Sequence, residues 1–262
     1  MERLSNKANE KIKFAVSVRD NVKVRRSDGC FFLEGARLCA DAAQSDTEFV
    51  RAFFTESSLR KYSDYVHAIV ARCTECYLVT EEIAAKLSDT QNPQGIFCIC
   101  KSKIRLADAD KIRSDGKYIL LESVQDPSNL GAVARTAEAL GLDGVIVSGG
   151  CDIYNPKALR ASMGSLLRLP VYHCVDLPAF LLSASQRGML TLASTPDSSC
   201  AKINETDLSG GVVCIVGNEG NGVTRETADA CDMCVTIPMS GRAESLNAST
   251  AAAILMWEMI RR

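Results

Sequence analysis

Val212-Val213-Cys214-Ile215-Val216-Gly217-Asn218-Glu219-Gly220-Asn221-Gly222, followed by Ile237-Pro238-Met239 and Ser245-Leu246-Asn247-Ala248-Ser249, is the stretch on which the reading of this chain turns. An apolar, β-branched run breaks at once into a turn that alternates Gly with Asn and Glu. That is the pattern of a buried parallel strand delivering polar groups to its carboxyl end, where open α/β sheets bind ligands. Val235-Thr236-Ile237 repeats the event as a second short strand stopped by Pro238, and either Ser245 or Asn247 is placed to cap a helix running from Asn247 to Arg262. Two strand ends and a helix start then converge on one pocket. Alone, Gly217-x-x-Gly220-x-Gly222 also reads as a plain tight turn, because it departs from the dinucleotide fingerprint and lies late in the chain.

The 262 residues are 47% hydrophobic with a net charge of −2, enough for one large domain or two modest ones and without a global pull toward nucleic acid. No run approaches the roughly 18 apolar residues of a membrane span. The N-terminal Arg3, Lys7, Glu10, Lys11 and Lys13 leave no apolar signal-peptide core, so the expected location is the cytoplasm. Most of the twelve cysteines lie in apolar contexts such as Phe97-Cys98-Ile99-Cys100, where thiols behave as small hydrophobes. Cys73-x-x-Cys76 and Cys231-x-x-Cys234 have the spacing of a four-thiolate zinc site, but neither encloses a Gly turn or a basic knuckle, and no metal is expected. A basic stretch over residues 7 to 26 reads either as a solvated helix face or as a phosphate-binding patch.

Taken in order, residues 5 to 19 predict an amphipathic helix, Arg25 to Gly29 a turn, Phe31 to Leu33 a strand and Glu34 to Ala43 a helix. Strands follow at Phe49–Phe54, Cys76–Val79 and Gln94–Cys100. Residues 1–105 thus form an α/β unit, 106–116 a polar linker, and 117–262 a second domain of six strands alternating with helices. The expected architecture there is a mainly parallel sheet covered on both faces.

Asn129 caps or precedes a helix over 131–140, and Arg135 lies one and a half turns inside it. An arginine aimed at a loop of Asn and Gly suits bidentate binding of phosphate or ribose oxygens, its bland alternative being an ion pair with Glu138. His67 and His173 are the only histidines and neither occupies a polar motif, so a histidine-dependent hydrolase is not expected.

Pro127-Ser128-Asn129-Leu130-Gly131-Ala132-Val133-Ala134-Arg135-Thr136-Ala137, then Ile215 to Val223, then Ile237-Pro238-Met239 with Glu244 to Ser249, resemble in order the three motifs of the SpoU family of RNA ribose methyltransferases, within the SPOUT superfamily. Arg160 to Ser165 resembles a weaker motif of the same family. Phe32 to Gly35 and Pro93 to Ile96 resemble pieces of the small ribosomal-protein-like substrate-binding domain carried by many members. The resemblance implies a sheet with a C-terminal trefoil knot, a homodimer, and S-adenosylmethionine bent into the knot. It implies that Thr195, Gly217, Asn218, Gly220, Ile237 and Leu246 hold the cofactor, and that Arg135, Asn129, Glu219, Ser245 and Asn247 form the catalytic set. RNA would be gripped by Lys23, Arg25, Arg26, Lys157, Arg160 and Arg168, with ribosomal RNA favoured over transfer RNA. Two other classes compete: a dinucleotide-dependent oxidoreductase, which lacks its early glycine turn here, and a non-catalytic RNA-binding assembly factor on the same fold.

Overall fold

The computed structural model describes residues 1–261; Arg262, the last residue of the expected C-terminal helix, lies outside them. Two units form, one from Met1–Lys103 with Asp152–Leu167, the other from Ile104–Cys151 with the chain from Arg168 onward. The contiguous 117–262 block expected from sequence is thus interrupted by an excursion that packs with the first unit.

The first unit carries a five-stranded sheet of β1 (Glu2–Leu4), β2 (Cys30–Glu34), β3 (Phe49–Phe54), β4 (Cys76–Val79) and β5 (Ile96–Lys101), in the order β1-β4-β3-β5-β2. β5 runs antiparallel to both neighbours, and the remaining pairs are parallel. Ile12, Ala15 and Val18 of the helix Glu10–Asp20 meet Phe32, Phe53, Phe97 and Leu87 in one apolar core. The predicted turn at Arg25 is instead a short helix, Val22–Asp28, ended by Gly29 in the left-handed conformation (φ 58°), where glycine carries no Cβ penalty.

Arg25 corrects the sequence reading further. Only 5% exposed, its guanidinium donates to Asp152 (2.6 Å) and to the carbonyls of Val18 (2.8 Å) and Arg19 (2.7 Å). It is a buried tie for the 152–167 excursion, spent on protein acceptors rather than on a ligand. Phe31 stacks on Tyr154 at 4.5 Å beside it, and Arg160 of the helix Pro156–Ala161 pairs with Asp89 at 2.6 Å.

The second unit is organised by an eight-stranded sheet: β6 (Arg105–Leu106), β7 (Lys117–Glu122), β8 (Gly144–Ser148), β9 (Val171–His173), β10 (Leu190–Ser194), β11 (Ala201–Lys202), β12 (Val212–Val216) and β13 (Met233–Thr236). Their order is β11-β13-β10-β12-β7-β8-β9-β6, with every pairing parallel. The central strands are buried on both faces, as their unbroken Val/Ile/Leu runs require. Residues 106–116 are no free linker. Ala109 and Ile112 are buried in the core with Tyr118, Phe180 and Ile215, a two-residue anchor too sparse to register as periodicity. His173 lies within β9, half-buried.

Removing one partner of a buried ion pair strands the other charge, at a cost of about 3–5 kcal/mol. Arg25→Ala should therefore lower stability by that order in urea unfolding, while Arg26→Ala, on an exposed residue, should change it by less than about 0.5 kcal/mol; equal effects would contradict the structural assignment of Arg25.

Candidate functional site

At the carboxyl end of β12, Gly217 turns so tightly that a Cβ there would lie 2.0 Å from the carbonyl carbon of Gly222. Asn218 and Gly222 close the turn through paired backbone bonds of 3.0 and 2.8 Å. Asn218 Oδ1 accepts the backbone N–H of Gly220 and Asn221 from inside it, and its Nδ2 donates to the Ser123 carbonyl at 2.9 Å. The alternation of Gly and Asn is therefore a loop stitched to itself and to the end of β7.

Beyond β7, Asp126 caps the helix Pro127–Leu140 by accepting from Ser128 N–H, with Pro127 at the first helical position. Asn129 is thus inside the first turn rather than at the cap. Its Nδ2 donates to Glu219 Oε1 (2.9 Å), and its Oδ1 accepts from Asn247 Nδ2 (3.1 Å). Asn247, and not Ser245, caps the C-terminal helix Ala248–Ile260, its Oδ1 accepting from the backbone of Ser249 and Thr250. The Glu219 carboxylate also accepts the backbone N–H groups of Gln125 (3.1 Å) and Asp126 (3.2 Å). Desolvation pushes the Glu219 carboxyl up, but these bonds outweigh it and hold its pKa below the ordinary value. One relay, Asn247 to Asn129 to Glu219, joins three distant pieces of sequence.

A cavity of about 540 Å³ opens beside this relay. Thr195, Gly217, Asn218, Glu219, Gly220, Ile237, Ser245 and Leu246 line it, together with Met239 and Val223. Thr195 is held at the end of β10 by its N–H bond to the Val235 carbonyl (2.9 Å). Backbone donors and acceptors from two strand ends alternate there with the apolar side chains of Ile237, Met239 and Leu246, a lining suited to a ligand with a flat apolar part and a polar part.

Arg135 is not in that lining. It is exposed on the helix Pro127–Leu140 and forms no hydrogen bond or ion pair among the described residues. Six residues from Asn129, it projects about 120° around the helix from it. Glu138, its expected alternative partner, takes Arg168 instead in a two-bond pair (2.6 and 2.8 Å). Of the residues expected to grip RNA, Lys23, Arg26 and Lys157 are exposed, Arg160 and Arg168 hold carboxylates, and Arg25 is buried. Among the described residues no group of three or more His, Cys, Asp or Glu is arranged to hold a metal ion.

Sequence reasoning missed Glu122 and Ser123. Glu122, 6% exposed at the end of β7, accepts from Thr224 N–H (3.0 Å), Thr224 Oγ1 (2.7 Å) and Thr227 Oγ1 (2.7 Å), fixing where the chain leaves the glycine turn. A carboxylate closing an apolar run, Tyr118-Ile119-Leu120-Leu121-Glu122, was the available signal. Ser123 adopts a positive φ of 55°, a conformation a non-glycine residue adopts only under local constraint, and it presents its carbonyl to Asn218.

This geometry defines the class, an α/β protein with a small-ligand cavity at the carboxyl edge of a parallel sheet. Residues 116–257 match the model of the SpoU rRNA Methylase family, and residues 9–98 match the MRM3-like substrate binding domain. The chain belongs to the SpoU rRNA Methylase family. It is 31% identical over 260 residues, 99% of each chain, to the Bacillus subtilis 23S rRNA (guanosine(2553)-2′-O)-methyltransferase RlmP. It is 29% identical, over 72% of this chain and 68% of the relative, to the Streptomyces viridochromogenes 23S rRNA (uridine(2479)-2′-O)-methyltransferase. The AdoMet-bound rRNA methyltransferase from Sinorhizobium meliloti superposes with a TM-score of 0.88 at 26% identity, covering 99% of this chain and 97% of that one.

Because its pKa is depressed in the fold, Glu219 contributes stability that is complete above the ordinary value of 4.5 and is lost as pH falls through the lower native value. Thermal unfolding between about pH 6 and 3 should show an acid limb that Glu219→Gln flattens. An unchanged limb in that variant would mean that the relay carries no stability.

Proposed function

We infer that this chain transfers a methyl group from S-adenosylmethionine to a ribose 2′-hydroxyl of ribosomal RNA, the first unit gripping RNA and the second carrying the chemistry. The cavity at the Gly217 turn supports this most directly: its size falls within the range of small-molecule sites, and the turn packs the backbone of Gly217 so tightly against Gly222 that only glycine fits there, which keeps backbone groups in the lining. Thr195, Asn218 and the backbone of Gly217 and Gly220 would hold the polar parts of the cofactor, and Ile237 and Leu246 its adenine. When bound, the cofactor supplies an electrophilic methyl.

The protein's task is to orient the 2′-oxygen in line and to stabilise it as its proton leaves. Glu219 already accepts four donors, so in this reading it organises the site and does not serve as the base. Asn129 and Asn247 hold the same frame, and Ser245 at the cavity mouth meets the ribose. Arg135 is exposed and has no hydrogen bond or ion pair among the described residues. Its fork is free for a phosphate and the developing alkoxide. DNA lacks the reacting hydroxyl, which makes the chemistry selective for RNA. Lys23, Arg26 and Lys157, all exposed, would add phosphate contacts.

The reading includes a homodimer and a trefoil knot acting in the cytoplasm. The C-terminal helix is apolar around most of its circumference, with Trp257 53% exposed, which supports a partner on its outer face. Residues Ile237 to Leu246 leave β13 and return to the Gly217 turn, which supports threading there. No helix among the described residues is long and apolar enough to cross a membrane.

Purified chain should bind S-adenosylmethionine and methylate ribosomal RNA at one mapped ribose; methylation of transfer RNA alone would favour the other substrate. Arg135→Lys should lower kcat by about a hundredfold with cofactor affinity unchanged. Retention of most activity would remove the bidentate role.

A further inference from the structure

Two thiols in the cavity wall are used neither by the fold nor by the chemistry above. Cys200 and Cys234 both line the cavity, and both are free and half-buried. β11 pairs with β13 in parallel, Ala201 opposite Val235, so the residues one step earlier, Cys200 and Cys234, fall opposite each other on one face. The Cys234 thiol lies close enough to disfavour the Cys200 thiolate. Adjacent strands lie about 4.8 Å apart, inside the roughly 4.4–6.8 Å between Cα atoms that a disulfide spans. Two other thiol pairs lie near each other, Cys73 with Cys76 and Cys39 with Cys98, but neither lines this cavity.

We propose that Cys200 and Cys234 form a thiol-modification site inside the cofactor cavity, open to a low-molecular-weight disulfide only while S-adenosylmethionine is absent. The inference rests on the cavity being the cofactor site. The Cys200 thiolate attacks one sulfur of the small disulfide, whose S–S bond breaks; its other half leaves as a thiolate and takes up a proton. Cys234, its proton given to solvent, then attacks the Cys200 sulfur and expels the second small thiolate. Two protein thiols are oxidised to one bond, and one small disulfide is reduced to two thiols.

Both products oppose the cofactor. The mixed disulfide fills the cavity. The bridge draws the two sulfurs to about 2.05 Å, pulling the wall formed by Thr195, Pro196 and Asp197 against β13. Burial, then Asp197 and Cys234, raise the Cys200 thiol pKa. The thiolate is scarce at neutral pH, so exchange is slow and accelerates as pH rises.

The test incubates the full chain with oxidised glutathione, with and without S-adenosylmethionine, then maps alkylated peptides by mass spectrometry. Cofactor affinity is measured before and after dithiothreitol. At about 100 times its Kd the cofactor should slow formation of the Cys200–Cys234 peptide by about a hundredfold. The bridged protein should lose about tenfold or more in affinity, restored by dithiothreitol. Cys234→Ser should instead accumulate glutathione on Cys200. Equal rates with and without cofactor, unchanged affinity of bridged protein, or modification confined to other cysteines would overturn the proposal. Failure of the untreated, reduced chain to bind S-adenosylmethionine would sink the cofactor reading instead, and the mapped peptides would still report whether the two thiols pair.

Discussion

The amide of Asn129, accepting from Asn247 and donating to Glu219, is the interaction on which the second unit's site depends. It is the side-chain bond that ties the start of the C-terminal helix to the glycine turn, through the first turn of the helix Pro127–Leu140. Each end of the relay is in turn fixed by backbone. Asn247 is occupied as a helix cap, and Glu219 is held by two consecutive N–H groups of the turn after β7. A carboxylate bound this way is a strut, because protein donors fill its acceptor positions before any ligand arrives.

The same economy governs the surrounding turns. Parallel strands end together at one edge of a sheet, leaving loops that need donors and acceptors where the apolar core stops. Glu122, Ser123 and Asn218 supply them in sequence: a buried carboxylate for Thr224 and Thr227, a carbonyl turned by a positive φ, and an amide that fills the inside of the glycine loop. The cavity is what remains open between these stitched loops. Its lining comes from the ends of β10, β12 and β13 and the loops that follow them, with Ile237, Met239 and Leu246 among its apolar members.

Much of this was legible in the chain. The run Val212–Val216 broken by Gly217 could hardly be other than a buried strand and a turn, and residues of the second and third motifs line one cavity, while the first motif reaches it only through Asn129, bonded to Glu219 and Asn247, and leaves Arg135 outside it. The errors share a physical cause. β1, β6 and β11 are two or three residues long, too short for any period to show. Arg25, read as part of a basic surface, is buried because an acid 127 positions later meets it, and local charge patterning contains no trace of such a partner. The apparent linker packs through two residues, Ala109 and Ile112. Glu122 was passed over because a carboxylate at the end of a strand looks like the beginning of solvent, whereas here it is the last member of the core.

The account turns on whether the relay acts as one unit in shaping the cavity. A double-mutant cycle on Asn129→Ala and Asn247→Ala, read by calorimetric titration with S-adenosylmethionine, tests this most directly. Coupled residues should give an interaction energy of about 1 kcal/mol or more. Losses in affinity that add within about 0.3–0.5 kcal/mol would mean that the two asparagines act separately, and the central claim would fail.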